Sequence, residues 1–248
     1  MTEEPPELRS PPPLSSLSVV SLFLDFDGTL VAIAPGPDQI EVPQGLGLAL
    51  ETLGARIGQR LALVSGRALR DIERHLGTPA IAMGGSHGGE VRLADGKMLS
   101  RAARSLPGTV LQAIRAFADA HEGVIYEEKP MGAALHYRAA PDRAEEILAF
   151  ADEMARQHPL QVTRGKMVAE LMPSGFHKGA AVETLMYEAP FVESYPVFIG
   201  DDITDEDGFS AARSMGGFGV LVGQSRPTAA QYRLEDTRAV YDWLELNL

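Results

Sequence analysis

Continuous apolar runs alternate with segments of helical periodicity along most of the chain. Four apolar runs end in turn-forming or acidic residues, and they lie at positions 19–25, 60–65, 195–200 and 217–222. Apolar residues recur at intervals of three and four in the segments that predict helices, at positions 43–57, 68–76, 178–188 and 205–213. This alternation predicts βα units arranged around a parallel sheet.

The middle of the chain follows a different order of predicted elements. A helix is predicted from Gly108 to about residue 121, and two strand-like segments follow it. A second helix over residues 142–157 then precedes two short strands, at 160–163 and 167–171. This order predicts a small α+β cap domain, residues 108–172, inserted into an α/β core formed by residues 19–107 and 173–248.

Composition and charge narrow the class of protein. The first eighteen residues are Pro-rich and acidic, without a cationic start or an apolar stretch, so we expect a disordered tail over residues 1–18 rather than a signal peptide. The formal net charge of −12 disfavours nucleic acid and anionic membranes as partners. No apolar run approaches the roughly 20 residues that cross a bilayer, and the absence of cysteine excludes disulfides and thiolate chemistry. We expect a monomeric, cytoplasmic protein that acts on a small molecule.

The motif Asp25-Phe26-Asp27-Gly28-Thr29 directly follows the first apolar run. Ligands of open α/β sheets bind beyond the carboxyl ends of the strands, so Asp25 stands where a ligand is expected. Two carboxylates at positions i and i+2 repel one another unless a cation lies between them, and Mg²⁺ prefers oxygen ligands. Gly28 allows a tight turn that exposes backbone amides to a phosphate. The alternative is an Asx-turn at the end of a strand.

Two further segments carry groups that bind anions. Ser65-Gly66-Arg67 follows the second apolar run, where a hydroxyl and helix-start amides can hold a phosphate oxygen. The alternative there is a helix N-cap at Ser65 followed by a solvated arginine. Lys178, one of only four lysines, opens a predicted helix at the end where the helix dipole disfavours a cation. Its position indicates an anion nearby, with a solvated surface lysine as the alternative.

A cluster of acids follows the third apolar run. The segment from Gly200 to Glu206 (GDDITDE) carries four acids. Acids are favourable at the start of a helix because they complement its dipole, and this is the simpler explanation. Asp201, however, falls at the end of the predicted strand, and with Asp25 and Asp27 it completes a set of three oxygen ligands for magnesium.

The order of these four motifs resembles that of the haloacid dehalogenase (HAD) superfamily, from about Leu22 to Leu246. Finer features resemble its trehalose-6-phosphate phosphatase family, and they are SGR at 65–67, HGGE at 87–90, EEK at 127–129, LHYR at 135–138, ELMP at 170–173 and the segment 200–209. The resemblance implies an α/β fold, with a HAD-like Rossmannoid parallel sheet core and a small inserted α+β cap of the C2 type. His177, where a shorter polar residue is commoner, and the N-terminal tail depart from the pattern.

The resemblance also implies roles for the motif residues. Asp25 would attack phosphorus and form an aspartyl-phosphate, while Asp27 would protonate the departing sugar oxygen and then deprotonate the attacking water. Mg²⁺ would be held by the Asp25 carboxylate, the Asp27 backbone carbonyl and Asp201. The residues implied to support this metal site are Asp202 and Asp205, and those implied to bind the phosphate are Thr29, Ser65, Gly66 and the catalytic Lys178.

Substrate recognition is assigned by the same resemblance. Glu127, Lys129 and Glu170 would bind sugar hydroxyls, since carboxylates accept paired hydrogen bonds from vicinal diols. Further candidates are Arg67, His87, Glu90, His136 and Arg138. Several have a plainer explanation: Glu127 with Lys129 as a surface pair, His136 as a buried core histidine, and Arg138 as a solvated residue at the edge of the cap.

The predicted function is Mg²⁺-dependent hydrolysis of trehalose 6-phosphate to trehalose and phosphate, as in trehalose biosynthesis. One alternative is the same chemistry on another sugar phosphate, such as sucrose phosphate or a mannosylglycerate phosphate. A phosphomutase would need a second phosphate-binding arrangement, which the sequence does not offer. A non-catalytic sugar-phosphate sensor commonly lacks the attacking acid or its acid/base partner, and both are present here.

Overall fold

The computed structural model describes residues 8–33, 40–101, 106–129, 131–165 and 167–248. Within these ranges the chain forms twelve strands and seven α-helices. The strands are β1 Val20–Leu24, β2 Leu61–Val64, β3 Ala82–Gly85, β4 Glu90–Arg92, β5 Met98–Arg101, β6 Ile125–Lys129, β7 Gly132–His136, β8 Leu160–Gly165, β9 Val168–Pro173, β10 Tyr195–Gly200, β11 Phe218–Val222 and β12 Tyr232–Leu234. The helices are α1 Leu46–Arg56, α2 Leu69–Leu76, α3 Gly108–Asp119, α4 Ala144–Gln157, α5 Lys178–Met186, α6 Glu206–Ser214 and α7 Thr237–Leu244.

The chain divides into two compact units, one made of Met1–Arg101 with His177–Leu248 and the other of Ala102–Phe176. The first unit contains an eight-stranded sheet in the order β12-β11-β10-β1-β2-β3-β4-β5. Neighbouring strands from β12 to β3 pair in parallel, whereas β4 and β5 add antiparallel at the edge. The predicted parallel α/β core is therefore confirmed, with a short antiparallel extension.

Strand β1 lies in the middle of this sheet and is buried along its whole length. Because successive side chains of a strand point to opposite faces, Leu22 and Leu24 join an apolar cluster with α1, α2 and α7. Phe23 points to the other face and joins a cluster with α5 and α6. Burying a side chain of this size stabilises the fold by about 1.5–3 kcal/mol. Both faces of β1 are thus covered, and its carboxyl end has a defined position.

Some elements of the first unit lack a clear sequence pattern. Strand β3 has the sequence Ala-Met-Gly-Gly, and glycine has little preference for strands. Strands β4 and β12 have three residues each, too few to establish an alternation. β4 pairs with β3 and β12 pairs with β11, in each case the strand that precedes it along the chain, and this pairing holds the two short strands in the sheet.

The N-terminal segment differs from the predicted disordered tail from Leu8 onward; residues 1–7 lie outside the described residues. Arg9 forms a parallel bridge with Tyr232 of β12, and the Trp243 Nε1 donates to the Pro12 carbonyl at 2.9 Å. Leu14 is buried in the cluster below α1 and α7. Prolines lack amide donors, but the Pro12 carbonyl still accepts a bond from Trp243, and this bond and the burial of Leu14 hold the Pro-rich segment on its path.

The second unit contains the predicted cap segment, residues 108–172. Its four strands form an antiparallel sheet in the order β6-β7-β9-β8. Helices α3 and α4 pack on one face, where Ile114 and Ile147 contact a cluster that includes Leu135 and Leu171. Across the described ranges of both units, no helix combines the length and the apolar character needed to span a bilayer.

Candidate active site

Asp25 and Lys178 form a buried ion pair at the carboxyl end of β1. The Asp25 amide donates to the Ile199 carbonyl at 2.9 Å, so the residue still follows the register of β1 with β10. Lys178, the first residue of α5, donates from Nζ to Asp25 Oδ1 at 2.7 Å and to Asp205 Oδ1 at 2.5 Å. Both Asp25 and Lys178 are 3 % exposed. Lys178 is therefore not a solvated surface lysine, and the anion expected near it is a pair of aspartates.

The electrostatics of this pair follow from burial and from the charges around it. Burial raises the pKa of Asp25 well above its usual value, Lys178 opposes that rise, and Asp205 and Asp201 add to it. Burial alone would lower the pKa of Lys178, but the attraction of Asp205 and Asp25 outweighs it and the pKa is raised. Lys178 therefore stays protonated, and its charge stabilises the carboxylates of Asp25 and Asp205 around it.

Three acids that could hold a cation lie together here. One carboxylate oxygen each from Asp25, Asp201 and Asp205 lies within 4.8 Å of the other two. Asp201 Oδ1 is buried and has no hydrogen-bond partner among the described residues. Burial, followed by the charge of Asp205, raises the pKa of Asp201 to about 7. A crowded set of oxygens with one unpaired buried oxygen fits a hard divalent cation such as Mg²⁺.

Gly28 leaves the space that Asp201 occupies. Its φ is +85°, a conformation that favours glycine, and a Cβ there would lie 2.1 Å from Asp201 Oδ2. The turn after Asp27 is closed by a bond from the Gly28 amide to the Val31 carbonyl at 2.6 Å. The bonds that close this turn run between backbone groups, and the turn brings the first and fourth motifs into contact.

Asp205 and Asp202 perform different tasks in the fourth motif. Asp205 is fully buried, and its Oδ2 accepts the amides of Asp201 and Asp202, each at 2.9 Å. The exposed Asp202 is the N-cap of a short 3₁₀ helix, Ile203–Asp205, and its Oδ1 accepts the Ile203 amide at 2.7 Å. The carboxylate of Asp202 is outside the group of three acids. The simpler helix-start explanation therefore applies to Asp202, whereas Asp205 lies in the group itself and orients its loop.

The Asp27 side chain is bound by Arg67. Arg67 donates from Nε to Asp27 Oδ2 at 2.6 Å and from Nη2 to Oδ1 at 2.8 Å. Arg67 also donates to Asp71 of α2 at 2.7 Å. Burial alone would lower the pKa of Arg67, but its bonds to Asp27 and Asp71 outweigh this and raise it. The alternative of a solvated arginine is wrong, and the contribution of the Asp27 backbone carbonyl to a metal site stays a prediction.

Ser65, Gly66 and Thr29 lie in the loops after β1 and β2. Ser65 is buried and its Oγ accepts the Arg67 amide at 3.1 Å. Helix α2 begins later, with Ala68 as its N-cap, so the alternative of a helix N-cap at Ser65 is wrong. Thr29 is buried, and its Oγ1 has no hydrogen-bond partner among the described residues. A Cβ on Gly66 would lie 2.7 Å from the ring of His87.

His87 and Glu90 belong to a segment that packs against the Ser65–Arg67 loop. Ser86 and His87 both have positive φ, 49° and 54°, which is unusual for residues other than glycine. The His87 amide donates to the Ser65 carbonyl at 3.1 Å and that of Ser86 to the Arg67 carbonyl at 2.7 Å. Glu90 Oε2 accepts the Ser86 hydroxyl at 3.0 Å and the Leu69 amide at 3.3 Å. Glu90 thus holds this segment to α2, a structural contact that the sequence did not predict.

The candidate sugar-binding residues of the second unit share one face of its sheet. Ala134 of β7 pairs with Glu127 of β6 on one side and with Glu170 of β9 on the other. Lys129 and His136 lie two residues further along β6 and β7, so their side chains point to the same face of the sheet. His136 Nε2 lies 2.7 Å from Glu127 Oε2. Lys129 Nζ lies 3.7 Å from Glu127 and 3.8 Å from Glu170. These four side chains form one polar cluster opposite α3 and α4, so the core-histidine alternative for His136 is wrong. Arg138 is exposed in the turn after β7.

The sequence motifs give no role to Arg226. It lies in the loop after β11, and it contacts the carbonyls of Asp201 and Asp202 as well as Glu206. The sequence offers one indication of such a role, because Arg226 is a cation just beyond the carboxyl end of a parallel strand. The motifs converge at this same edge of the sheet.

Known proteins resemble this chain over most of its length. The family model described as trehalose-phosphatase matches residues 23–238. The chain belongs to this family. It is 34% identical over 226 residues to the trehalose-6-phosphate phosphatase of Escherichia coli K12, which covers 90% of this chain and 85% of that protein. The family predicted from the motifs is confirmed.

Solved structures agree with this family at the level of the fold. The C-terminal domain of the trehalose-6-phosphate phosphatase of C. albicans aligns with a TM-score of 0.77 at 24% identity, covering 92% of this chain and 91% of that chain. A haloacid dehalogenase-like hydrolase from Bacteroides thetaiotaomicron aligns with a TM-score of 0.69 at 18% identity, covering 91% and 98%. The HAD-like core with an inserted cap is thereby confirmed for this trehalose-phosphatase family member.

Proposed function

We propose that this member of the trehalose-phosphatase family hydrolyses trehalose 6-phosphate to trehalose and phosphate through an aspartyl-phosphate on Asp25. The observation that carries the proposal is the buried Asp25 carboxylate, bound by Lys178 and grouped with Asp201 and Asp205 at the carboxyl edge of the sheet. Membership of the family and 34% identity to the E. coli trehalose-6-phosphate phosphatase support the choice of reaction.

The first half of the reaction transfers the phosphoryl group to the protein. An Asp25 oxygen forms a bond to phosphorus as the bond from phosphorus to the sugar oxygen breaks, and Asp27 supplies the proton that this oxygen takes. Lys178 stabilises the phosphoryl oxygens while it keeps hold of Asp25. The hydroxyls of Ser65 and Thr29 donate to the same oxygens, a role that the unpaired Thr29 Oγ1 supports.

The second half returns the protein to its starting state. Asp27 takes a proton from water as the water oxygen bonds to phosphorus, and the bond from phosphorus to Asp25 breaks. Phosphate leaves and the Asp25 carboxylate is restored. Arg67 donates one bond to each oxygen of Asp27, and each oxygen keeps a second lone pair on which Asp27 can carry the proton for the sugar oxygen.

Asp25 and Asp201 would hold Mg²⁺ at this site, and Asp205 would support them. When bound, the ion supplies positive charge that offsets the charge of the phosphoryl group and orients it toward Asp25. The unpaired Oδ1 of Asp201 supports this proposal. Asp205 fixes the loop by accepting two of its amides.

For the substrate, we propose that Glu127, Lys129 and Glu170 bind sugar hydroxyls. Their common face on the cap sheet and the contact of His136 with Glu127 support a preformed polar surface. A disaccharide phosphate presents vicinal hydroxyls that such carboxylates accept in pairs.

The experiment that tests the proposal is phosphate release across a panel of sugar phosphates, with and without a metal chelator. We expect trehalose 6-phosphate to have the highest kcat/KM, and chelation to abolish release. If sucrose phosphate or a mannosylglycerate phosphate reacts with a kcat/KM well above that of trehalose 6-phosphate, the substrate assignment is contradicted. The cytoplasmic location, the monomeric state and the lack of a nucleic-acid partner stay predictions.

A further inference from the structure

The loop after β11 carries a guanidinium that contacts the loop of the fourth motif. Arg226 Nη2 donates to the Asp202 carbonyl at 2.7 Å and approaches the Asp201 carbonyl at 3.4 Å. Its Nη1 donates to Glu206 and, at 3.2 Å, to the Pro227 carbonyl. One side chain therefore joins two carbonyls of the motif loop to a carboxylate of α6.

Glu206 completes this connection. Besides Arg226, it accepts the Thr228 hydroxyl at 2.8 Å and the Ala229 amide at 2.7 Å. The Arg226 side chain is 24% exposed and that of Glu206 26%, so the pair is largely shielded from water. The loop over residues 226–229 is consequently fastened to the first turn of α6, and Arg226 is held in a single orientation.

The backbone of Asp201 and Asp202 is thus gripped on both sides. Asp205 accepts their amides, and Arg226 donates to their carbonyls. With the peptide groups on either side of the Asp201 Cα constrained, the direction in which the Cα–Cβ bond of Asp201 leaves the backbone is fixed. Of the two residues that hold this backbone, only Asp205 belongs to a motif that can be recognised in the sequence.

We propose that Arg226, held by Glu206, is a positioning residue that fixes Asp201 for binding a divalent cation. This inference rests on the proposed function, because it takes Asp201 to be a metal ligand. Arg226 touches neither substrate nor reacting atoms and acts through the backbone of the ligand. Partners of this kind commonly change metal affinity about 10- to 100-fold.

The direction in which Mg²⁺ affinity changes on loss of Arg226 distinguishes positioning from simple electrostatics. Arg226 is a cation next to a cation site, so its charge alone opposes the binding of Mg²⁺. Removing that charge without any positioning effect would tighten metal binding. Positioning predicts the opposite, because a freed Asp201 loses its fixed direction.

The test is calorimetric titration of Mg²⁺ into metal-stripped full-length protein. We expect R226Q to weaken Mg²⁺ affinity about tenfold or more, and R226K, which keeps the charge and one donor group, to recover part of the loss. R233Q is the matched control, since Arg233 donates to the Gly223 carbonyl at 2.7 Å at the other end of the same loop without an observed contact to Asp201. R233Q should bind Mg²⁺ as the unmodified protein does.

The outcomes distinguish this inference from the proposed function. An R226Q protein that unfolds cooperatively and binds Mg²⁺ as tightly as the unmodified protein, or more tightly, overturns the inference alone. Failure of the unmodified protein to bind Mg²⁺ overturns the proposed metal site and the inference together. Should R226Q not fold, R226K provides the test, because it keeps the charge and loses the guanidinium fork that reaches Glu206 and the motif loop. Weaker Mg²⁺ binding by R226K then supports positioning, and binding as tight as that of the unmodified protein overturns it.

Discussion

Arg67 holds both carboxylate oxygens of Asp27, with Nε 2.6 Å from Oδ2 and Nη2 2.8 Å from Oδ1. The same guanidinium reaches Asp71 at 2.7 Å and lies over the Phe26 ring with its Cζ 5.9 Å from the centroid. A planar fork of donors fits this bidentate arrangement, and an ammonium cannot reproduce it. Arg67 therefore determines where the proposed acid/base rests when no substrate is engaged.

Replacing Arg67 by lysine should lower kcat. R67K keeps a positive charge but loses the fork, so Asp27 takes several orientations instead of one, and we expect kcat to fall about tenfold, equivalent to about 1.4 kcal/mol. Steady-state phosphate release measures this. R74K is the matched control, because Arg74 also contacts Asp71, at 3.1 Å, from a side chain that is 59% exposed. Equal kcat values for R67K and the unmodified protein would argue against this role.

The two acids of the fourth motif next to Asp201 should respond differently to amidation. D205N removes the charge that pairs with Lys178. Since Lys178 bonds to Oδ1 and both loop amides bond to Oδ2, the single oxygen of asparagine can serve only one of these two sets of donors, so we expect kcat/KM to fall about 100-fold or more. D202N keeps an N-cap that is as effective as aspartate, so we expect a change of about twofold or less. Comparing both variants by kcat/KM and thermal unfolding checks this, and a large loss in D202N would restore Asp202 to the metal site.

The Glu127–His136 contact should matter for the sugar and not for phosphoryl transfer itself. In a double-mutant cycle with E127Q and H136Q, we expect kcat/KM for trehalose 6-phosphate to show a coupling of about 0.5–1 kcal/mol. The kcat/KM for p-nitrophenyl phosphate, which offers no sugar hydroxyls, should change little. E128Q serves as the control, because Glu128 follows Glu127 on β6 but contacts Arg115 and Tyr126 instead. Equal losses on both substrates would point to a structural role.

The stability of the second unit should decrease as the pH rises above 6.5 because of His121. Its pKa is raised by a bond to the Phe117 carbonyl and by a bond to Glu146 at 2.8 Å. Because the pKa of His121 is higher in the folded than in the unfolded protein, protonated His121 stabilises the folded state. This stabilisation is fully present below the usual pKa of 6.5 and is lost as the pH rises through the pKa of the folded protein. Thermal unfolding of unmodified protein and E146Q from pH 5.5 to 8.5 tests this: the difference between them should shrink as pH rises. E145Q, which changes the neighbouring exposed acid, should follow the unmodified protein, and a pH-independent difference in E146Q would contradict the assignment.

The parts of the fold that the sequence predicted are those that depend on local pattern. The run ending at Asp25 is apolar on both faces because β1 is covered on both sides, so the run itself indicates a buried strand. Asp25, Ser65 and Asp201 then follow from a general property of parallel sheets, whose carboxyl ends gather at one edge. Lys178 could be recognised because its position at a helix start is unfavourable without an anion nearby.

The features that escaped prediction depend on contacts between distant segments. The path of residues 8–18 is set by Tyr232 and Trp243, more than 200 positions away in the chain, and its composition carries no sign of them. The contact of Arg226 with Asp201 likewise requires the tertiary structure. Glu90 is a candidate through the family resemblance, but its bonds to Ser86 and Leu69 arise only once the segment with positive φ at Ser86 and His87 packs against the start of α2.

Phosphate release from trehalose 6-phosphate, by protein stripped of metal and then supplied with Mg²⁺, tests the proposed site most directly. We expect no turnover without metal, full recovery on adding Mg²⁺, and no turnover in D25N at any Mg²⁺ concentration, although D25N should remain folded. Undiminished turnover in metal-free protein, or substantial turnover by D25N, would contradict the claim that Asp25 and Asp201 share a divalent cation with the incoming phosphate.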